Sequence, residues 1–310
     1  MGLLFAEQWF DEPKYSEEGF VPYICEGVTY KLWYGKVGSG TKPPILILHG
    51  GPGGSHYNLV SFQALKDDRP VIFYDQLGCG NSDRPENDRL WTAERYFEEA
   101  HVLIKELNLE SYHLGGHSWG TTIATAIAAR HPEGMLSLSL NSPIVSFPRY
   151  IQEVAPILKS LLPDNAGKFI DDFELYGRGD EKKYEEALME HVRQSVIRSW
   201  PLPAPMERLI AAKNPQIHKT MIGSASELNI LGNLARIDVS EDLKSLSMPI
   251  LLTCGESDLC TPDFTRWHHS LVPHAELKII NDSAHMTPID NPAELMTVQS
   301  AFLLKNDHDK

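Results

Sequence analysis

Apolar residues along this chain fall into short runs bounded by Gly, Pro or Asp. One run, Tyr30–Val37, alternates apolar and polar positions, which is typical of a strand with one exposed face. The other runs are mostly apolar, as in strands of a sheet that is covered on both faces. They are Pro44–Leu48, Val71–Tyr74, Tyr112–Gly115, Leu136–Asn141, Ile250–Thr253 and Leu277–Ile280.

Helical patterns separate the predicted strands. Thr92–Leu107 has its charged residues on one face, and Thr121–Arg130 is rich in Ala. Further helices are predicted at Pro262–Leu271 and Pro292–Leu304. A repeated order of strand, helix and strand requires right-handed crossovers, which produce a mostly parallel sheet flanked by helices. The pattern therefore predicts an α/β fold.

The pattern changes in the middle of the chain. From about residue 146 to 237 no stretch has a convincing strand pattern, but Tyr150–Leu162 and Lys182–Arg198 are amphipathic. The Pro-rich segment Trp200–Pro205 cannot continue a helix and is expected to be a rigid connector. We therefore predict a helical cap inserted into an α/β core. The predicted boundaries are 1–143 for the first part of the core, 144–240 for the cap and 241–310 for the second part of the core.

Composition narrows the classes of function. The 310 residues include 28 Lys and Arg and 42 Asp and Glu, and the resulting net charge of −14 disfavours binding to nucleic acid. No run approaches the roughly 20 apolar residues that cross a bilayer, and Met1–Glu18 lacks the pattern of a secretory signal. The four cysteines have no metal-ligand spacing. We expect a soluble, cytoplasmic protein that uses no metal or cofactor and binds no membrane.

The segment Gly116–Gly120 (GHSWG) fits the pattern G-x-S-x-G between a predicted strand and a predicted helix. The glycines permit a sharp turn that lifts the serine hydroxyl off the sheet, and the following helix points its positive end at a developing oxyanion. Ser118 is therefore the candidate nucleophile. The alternative is a tight turn with a structural role only.

A glycine-rich loop, His49–Gly54 (HGGPGG), follows another predicted strand. Glycines let backbone N–H groups approach a tetrahedral intermediate without interference from side chains. An N–H of Gly50 or Gly51, together with that of Trp119, would form an oxyanion hole. The alternative, a phosphate-binding loop, lacks the G-x-x-x-x-G-K-[ST] pattern.

A serine nucleophile needs a base and an acid that orients the base, and for this kind of turn they follow in the order Asp or Glu, then His. Asp258 and His285 each come shortly after a predicted strand, so both fall at the same edge of the sheet as Ser118. Glu256 and Asp282 are rival orienting acids. We expect Asp258 to orient and His285 to act as the base.

Three segments together resemble the proline iminopeptidase family of the α/β-hydrolase fold. They are His49–Gly54, the loop Tyr74–Ser82 (YDQLGCGNS) and Gly115–Gly120 (GGHSWG). The resemblance covers nearly the whole chain and is weaker in the predicted cap. The site residues expected from it are Ser118, Asp258 and His285 as a catalytic triad, Gly51 and Trp119 at the oxyanion hole, and Gly50 against the substrate.

Family members that remove a free N-terminal residue bind its ammonium group with acidic side chains. Gly223–Leu228 (GSASEL) is similar to the cap segment that carries one such glutamate, which implies this role for Glu227. Relatives of this kind also have a glutamate directly after the triad aspartate, where this chain has Leu259. A single carboxylate would hold the amine less strongly, unless another acid such as Glu207 compensates.

The leading hypothesis is a serine hydrolase that releases an N-terminal residue, preferably proline, from short peptides or amides through an acyl-enzyme. Its expected partner is a small-molecule or short-peptide substrate with a free amino terminus. An L-amino-acid amidase acting on prolinamide-like compounds and an esterase are alternatives that Leu259 favours. An epoxide hydrolase or dehalogenase is disfavoured, because those relatives have Asp where Ser118 stands. A non-catalytic ligand receptor is the alternative from another class, and the presence of Ser118, Asp258 and His285 argues against it.

Overall fold

A computed structural model of the chain describes residues 9–131 and 133–307. Its strands are β1 (Glu17–Cys25), β2 (Val28–Val37), β3 (Ile45–Leu48), β4 (Val71–Tyr74), β5 (Tyr112–His117), β6 (Met135–Asn141), β7 (Ile250–Gly255) and β8 (Glu276–Ile280). Within the described residues they form one 8-stranded sheet in the order β1-β2-β4-β3-β5-β6-β7-β8. The pairs β1/β2 and β2/β4 are antiparallel, and the other pairs are parallel.

Helices cover the sheet and fill the chain between β6 and β7. The helices are α1 (Ala93–Glu106), α2 (Trp119–Arg130), α3 (Phe147–Arg149), α4 (Ala155–Leu161), α5 (Ala166–Glu174), α6 (Glu181–His191), α7 (Ala204–Ala212), α8 (Pro215–Met221), α9 (Ser240–Ser245), α10 (Pro262–Leu271), α11 (Thr287–Asp290) and α12 (Pro292–Lys305). There are π-helical turns at Tyr150–Val154 and Val192–Val196, and 3₁₀ segments at His56–Leu65, Asp88–Leu90, Pro163–Asn165 and Asn233–Arg236. No helix among the described residues is long and apolar enough to cross a membrane.

Strand β3 illustrates why uninterrupted apolar runs form the centre of the sheet. Ile45 and Ile47 belong to a hydrophobic cluster that includes residues of α12, whereas Leu46 and Leu48 belong to one that includes residues of α1 and α2. Successive side chains of a strand point to opposite faces. An apolar run therefore suits a strand that is covered on both sides. The prediction of a mostly parallel sheet flanked by helices is confirmed.

Strand β1 has no counterpart among the predicted strands. It pairs antiparallel with β2 at the edge of the sheet. Val21 and Tyr23 point into the core, while Phe20 and Ile24 are 54% and 72% exposed on the other face. Apolar residues on both faces of an edge strand conceal the alternation of burial that would otherwise identify it.

The chain between β6 and β7 is helical, as the pattern predicts. The stretch predicted at residues 150–162 consists of a π-helical turn and α4, and the stretch at 182–198 consists of α6 and a second π-helical turn. In the predicted connector, α7 begins at Ala204, with Pro205 in its first turn, where a missing N–H is tolerated. The domain boundaries at residues 143 and 240 stay a prediction.

Candidate active site

Ser118 occupies the turn between β5 and α2, with backbone angles φ 54° and ψ −125°. A positive φ is costly for serine, so the surrounding structure must hold it there. A Cβ at Gly116 would lie 2.5 Å from the carbonyl oxygen of Gly120, and a Cβ at Gly120 would lie 2.2 Å from that of Leu48. The turn therefore requires both glycines, and it presents Ser118 at the carboxyl edge of the sheet.

His285 and Asp258 are in direct contact, with Nδ1 of His285 2.8 Å from Oδ1 of Asp258. The loops after the parallel strands β7 and β8 carry them to the same edge, and both side chains are buried. Asp258 also accepts hydrogen bonds from the Ser142 hydroxyl (2.6 Å) and the Cys260 N–H (2.8 Å). Burial alone would raise the pKa of Asp258, but His285 and these donors outweigh burial and lower it.

The two rival orienting acids lie apart from His285. Glu256 Oε1 is 3.0 Å from Arg198 Nη1, in an ion pair whose side chains are both more than 40% exposed. Asp282 is exposed at a turn with φ 49°. Of the three acids considered from the sequence, the structure brings Asp258 to the imidazole.

Ser118 and His285 line one cavity of about 350 Å³, together with Gly50, Gly51 and Glu227. We call it the large cavity. A small cavity adjoins it, because Ser118, Gly51 and Glu227 border both. The fold thus gathers at one place side chains that are far apart in the sequence.

The backbone next to Ser118 contains the two residues predicted to form an oxyanion hole, Gly51 and Trp119. A Cβ at Gly50 would lie 2.9 Å from Cβ of Ser118, so the glycine loop is in close contact with the serine. Gly51 has a φ of 127°, which side chains rarely permit. Trp119 is the first residue of α2, so its N–H has no carbonyl within the helix to bond. Gly51, Trp119 and Ser118 all border the small cavity.

The loop Tyr74–Ser82 supports the glycine loop through a buried glutamine. The Gln76 amide donates to the carbonyl oxygen of His49 (2.8 Å) and accepts a hydrogen bond from the Trp119 indole N–H (3.1 Å). One side chain thus connects the glycine loop to the residue after Ser118. From the sequence this loop contributed only to the family resemblance.

Sequence reasoning missed two side chains that support His285. The Ser142 hydroxyl lies 3.2 Å from the His285 carbonyl oxygen as well as bonding Asp258, and His117 Nε2 lies 2.9 Å from the same carbonyl oxygen. Burial, reinforced by the nearby His285, lowers the pKa of His117 to about 3, so its neutral ring donates from Nε2. His117 lies within the GHSWG segment, so its position beside Ser118 is a signal in the sequence, whereas Ser142 belongs to no motif.

The second π-helical turn is bonded to the loops that carry Asp258 and His285. The carbonyl oxygen of Ser195 accepts hydrogen bonds from the N–H groups of Leu259 (3.0 Å) and His285 (3.1 Å). The carbonyl oxygen of Val196 accepts one from the Met286 N–H (2.9 Å). The helical segment above the sheet therefore shares its backbone hydrogen bonds with the site below it.

Glu227 supplies a carboxylate at the junction of the two cavities. Its side chain is 33% exposed, and because it lines both cavities it is deep in the protein yet open to a ligand. Its Oε1 lies 3.6 Å from His218 Nε2. Burial would raise the pKa of Glu227, but His218, with the charges of Lys213 and His191, lowers it to about 2. Glu227 is therefore ionised at neutral pH.

The position after Asp258 offers no second carboxylate. Leu259 is buried and borders both cavities, where the resemblance leads one to expect a glutamate. Glu207 is exposed on α7 and lines neither cavity. It therefore does not compensate for Leu259 in this structure.

Within the described residues, Asp258, Cys260 and His285 offer ligand atoms within 4.8 Å of one another, the one cluster spaced to hold a metal ion. The oxygens of Asp258 already accept hydrogen bonds, including one from His285. Burial, followed by the charge of Asp258, raises the pKa of the Cys260 thiol well above its usual value. A thiolate ligand is therefore disfavoured there.

Comparison with known proteins gives the class of this chain: a family model described as alpha/beta hydrolase fold matches residues 43–292. A proline iminopeptidase of Heyndrickxia coagulans is 38% identical over 287 residues, 92% of this chain and 98% of the relative. The crystal structure of VinJ matches with a TM-score of 0.87 and 27% identity, covering 94% of this chain and 100% of that one. That of the Mycobacterium smegmatis proline iminopeptidase matches with 0.84 and 28%, covering 94% and 99%. The chain belongs to the proline iminopeptidase family of α/β hydrolases, which confirms the resemblance.

Proposed function

We propose that this chain is a serine hydrolase that releases an N-terminal residue, preferably proline, from short peptides or amides through an acyl-enzyme. The observation that carries the proposal is the hydrogen bond between Asp258 and His285 at a cavity that Ser118 and Glu227 also line. The residues proposed as nucleophile, base and ammonium-binding group line one cavity, and the proposed orienting acid bonds the base, which supports the proposal. Family membership supports the same activity.

In the proposed mechanism, His285 removes the proton of the Ser118 hydroxyl as the oxygen attacks the carbonyl carbon of the first residue. Because Nδ1 of His285 bonds to Asp258, Nε2 is the nitrogen left to accept this proton. The N–H groups of Gly51 and Trp119 stabilise the negative oxygen of the tetrahedral intermediate. Protonated His285 then gives its proton to the leaving amine. Water repeats the cycle on the ester of Ser118 and frees the amino acid.

Glu227 is proposed to bind the ammonium group of the first residue. Its low pKa keeps it anionic at any pH at which the enzyme would work. A substrate ammonium must, however, share this carboxylate with His218, and Leu259 supplies no second charge. We therefore expect the amine to be held less strongly than by a pair of carboxylates, with short substrates of moderate affinity.

A rate comparison tests the proposal. Proline p-nitroanilide, prolinamide, alanine p-nitroanilide and p-nitrophenyl acetate are to be compared by kcat/KM, with the proline p-nitroanilide expected above the alanine compound. A preference for prolinamide over the anilide would favour an amidase, and turnover of the acetate alone would favour an esterase.

The role of Ser118 is tested separately. Ser118→Ala should lower kcat by a factor of at least about 10⁴, whereas Ser270→Ala, at an exposed serine of α10, should leave it unchanged. A fluorophosphonate probe should label the wild type and not Ser118→Ala. A wild-type protein that resists the probe and turns over none of these substrates would support a non-catalytic receptor.

A further inference from the structure

Much of the wall of the large cavity is apolar. Val192, Ile197, Leu202, Met206 and Leu209 line it and pack with one another in a small hydrophobic cluster. They come from the second π-helical turn and the residue that follows it, the Pro-rich connector and α7. We call this part of the large cavity the apolar compartment.

The polar side chains that line the large cavity contact Glu227 or the residues that support His285. His218 contacts Glu227, and Lys213 is close enough for its charge to act on the same carboxylate. The Asn58 amide lies 3.3 Å from Nδ1 of His117, whose other nitrogen bonds the His285 carbonyl oxygen. The apolar compartment therefore suits a ligand group without polar atoms.

Apolar residues also form the exposed rim of the large cavity. Met189, Trp200 and Ile210 line it and are 42%, 43% and 58% exposed. Large apolar side chains grouped at a cavity mouth, rather than scattered over a surface, are typical of a binding site. The rim continues the apolar compartment outward, so a ligand group longer than one side chain still contacts apolar surface.

On the basis of the proposed function, we propose that the apolar compartment binds the leaving group, and that the enzyme prefers substrates whose second residue is large and apolar. Ser118 and Glu227 border both cavities, so the scissile carbonyl and the amino group of the first residue lie at their junction. The small cavity, walled by Phe147 and Tyr150, then takes the first side chain. The second residue of the substrate, on the far side of the scissile bond, extends into the apolar compartment.

The preference should be measurable on dipeptides that share the first residue. Moving the side chain of Phe from water to an apolar site favours the complex enough to raise kcat/KM at least about tenfold over Gly. We therefore expect kcat/KM, measured as release of free proline by the full-length enzyme, to rise along the series Pro-Gly, Pro-Ala, Pro-Leu and Pro-Phe.

A matched pair of variants connects the preference to the compartment. Ile210→Asn changes a rim residue, and Ile157→Asn changes an isoleucine of α4 that is 56% exposed and does not line the large cavity. Both positions are exposed, so both variants should fold. Ile210→Asn should lower the ratio of kcat/KM for Pro-Phe to that for Pro-Gly by about threefold or more, and Ile157→Asn should leave that ratio as it is.

The possible results separate the two proposals. Equal kcat/KM for Pro-Gly and Pro-Phe, within twofold, would overturn the leaving-group assignment and leave the aminopeptidase activity intact. A ratio that responds equally to both variants would also overturn it. If no prolyl dipeptide is cleaved but p-nitrophenyl esters are, with rates that grow with acyl chain length, the apolar compartment binds the acyl group and both proposals fail.

Discussion

Replacing Ser142 by Ala removes one hydrogen bond from the buried carboxylate of Asp258. The bond is 2.6 Å long and joins a hydroxyl to an ionised group, a kind of bond worth about 1.5–3 kcal/mol. We expect the loss of this bond to destabilise the state in which His285 carries the proton, and this would lower kcat by about tenfold to a hundredfold. KM should change little, because Ser142 lines neither the large nor the small cavity.

Steady-state kinetics on proline p-nitroanilide would measure kcat and KM of the Ser142→Ala enzyme, and urea unfolding would measure its stability. Ser139→Ala is the matched control, because Ser139 is a buried serine of β6 whose hydroxyl bonds Gln299 (2.7 Å) instead of Asp258. The control should lose stability and keep its kcat. A Ser142→Ala enzyme with wild-type kcat would refute the reasoning, and so would an equal loss of kcat in both variants.

Three further changes are predicted. Glu227→Gln should lower kcat/KM for prolinamide about five- to tenfold, since an ion pair with a partly exposed carboxylate is worth on the order of 1 kcal/mol. The variant should keep its kcat/KM for p-nitrophenyl acetate, which has no amine, and equal losses on both substrates would remove Glu227 from amine binding. Burial lowers the pKa of His117 and His268 to about 3, so the unfolded chain binds more protons than the folded one below about pH 6.5. These two histidines contribute about 2 kcal/mol each, and the lowered pKa of His113 acts in the same direction, so urea titrations should show the free energy of unfolding falling by at least about 4 kcal/mol from pH 7.5 to pH 5; equal stability at both pH values would contradict this. Gly120→Ala should yield no active enzyme in a turnover assay, because its Cβ would lie 2.2 Å from the Leu48 carbonyl oxygen; a soluble variant with wild-type turnover would show that the turn tolerates a side chain.

The central sheet was predictable because burial on both faces leaves a direct record in the sequence. A strand such as β3 must be apolar throughout, and a helix such as α1 must be apolar on one side only. Strand β1 escaped prediction because Phe20 and Ile24 are apolar on its exposed face. Backbone pairing with β2 holds β1 at the edge of the sheet. A single sequence does not show which strands pair.

The candidate site was predictable where chemistry requires a fixed local motif. The turn at Ser118 needs glycine on both sides, so five residues of sequence are enough to mark the candidate nucleophile. The contacts of Ser142 and His218 could not be predicted, because each meets its carboxylate partner only after the chain folds. Leu259 is a similar case. The sequence shows that a glutamate is absent after Asp258, but it does not show that Leu259 adds apolar surface to both cavities.

The bonds from Ser195 and Val196 to the loops of the site restrict how this enzyme can open. Lifting the second π-helical turn away would break the hydrogen bonds to the N–H groups of Leu259, His285 and Met286, and it would disturb the imidazole in the same motion. A wide hinge movement at this turn would therefore displace His285, the proposed base for Ser118. While this turn stays in place, the exposed rim of the large cavity is an entrance that the described residues leave open, and the width of that entrance would limit the size of what is cleaved.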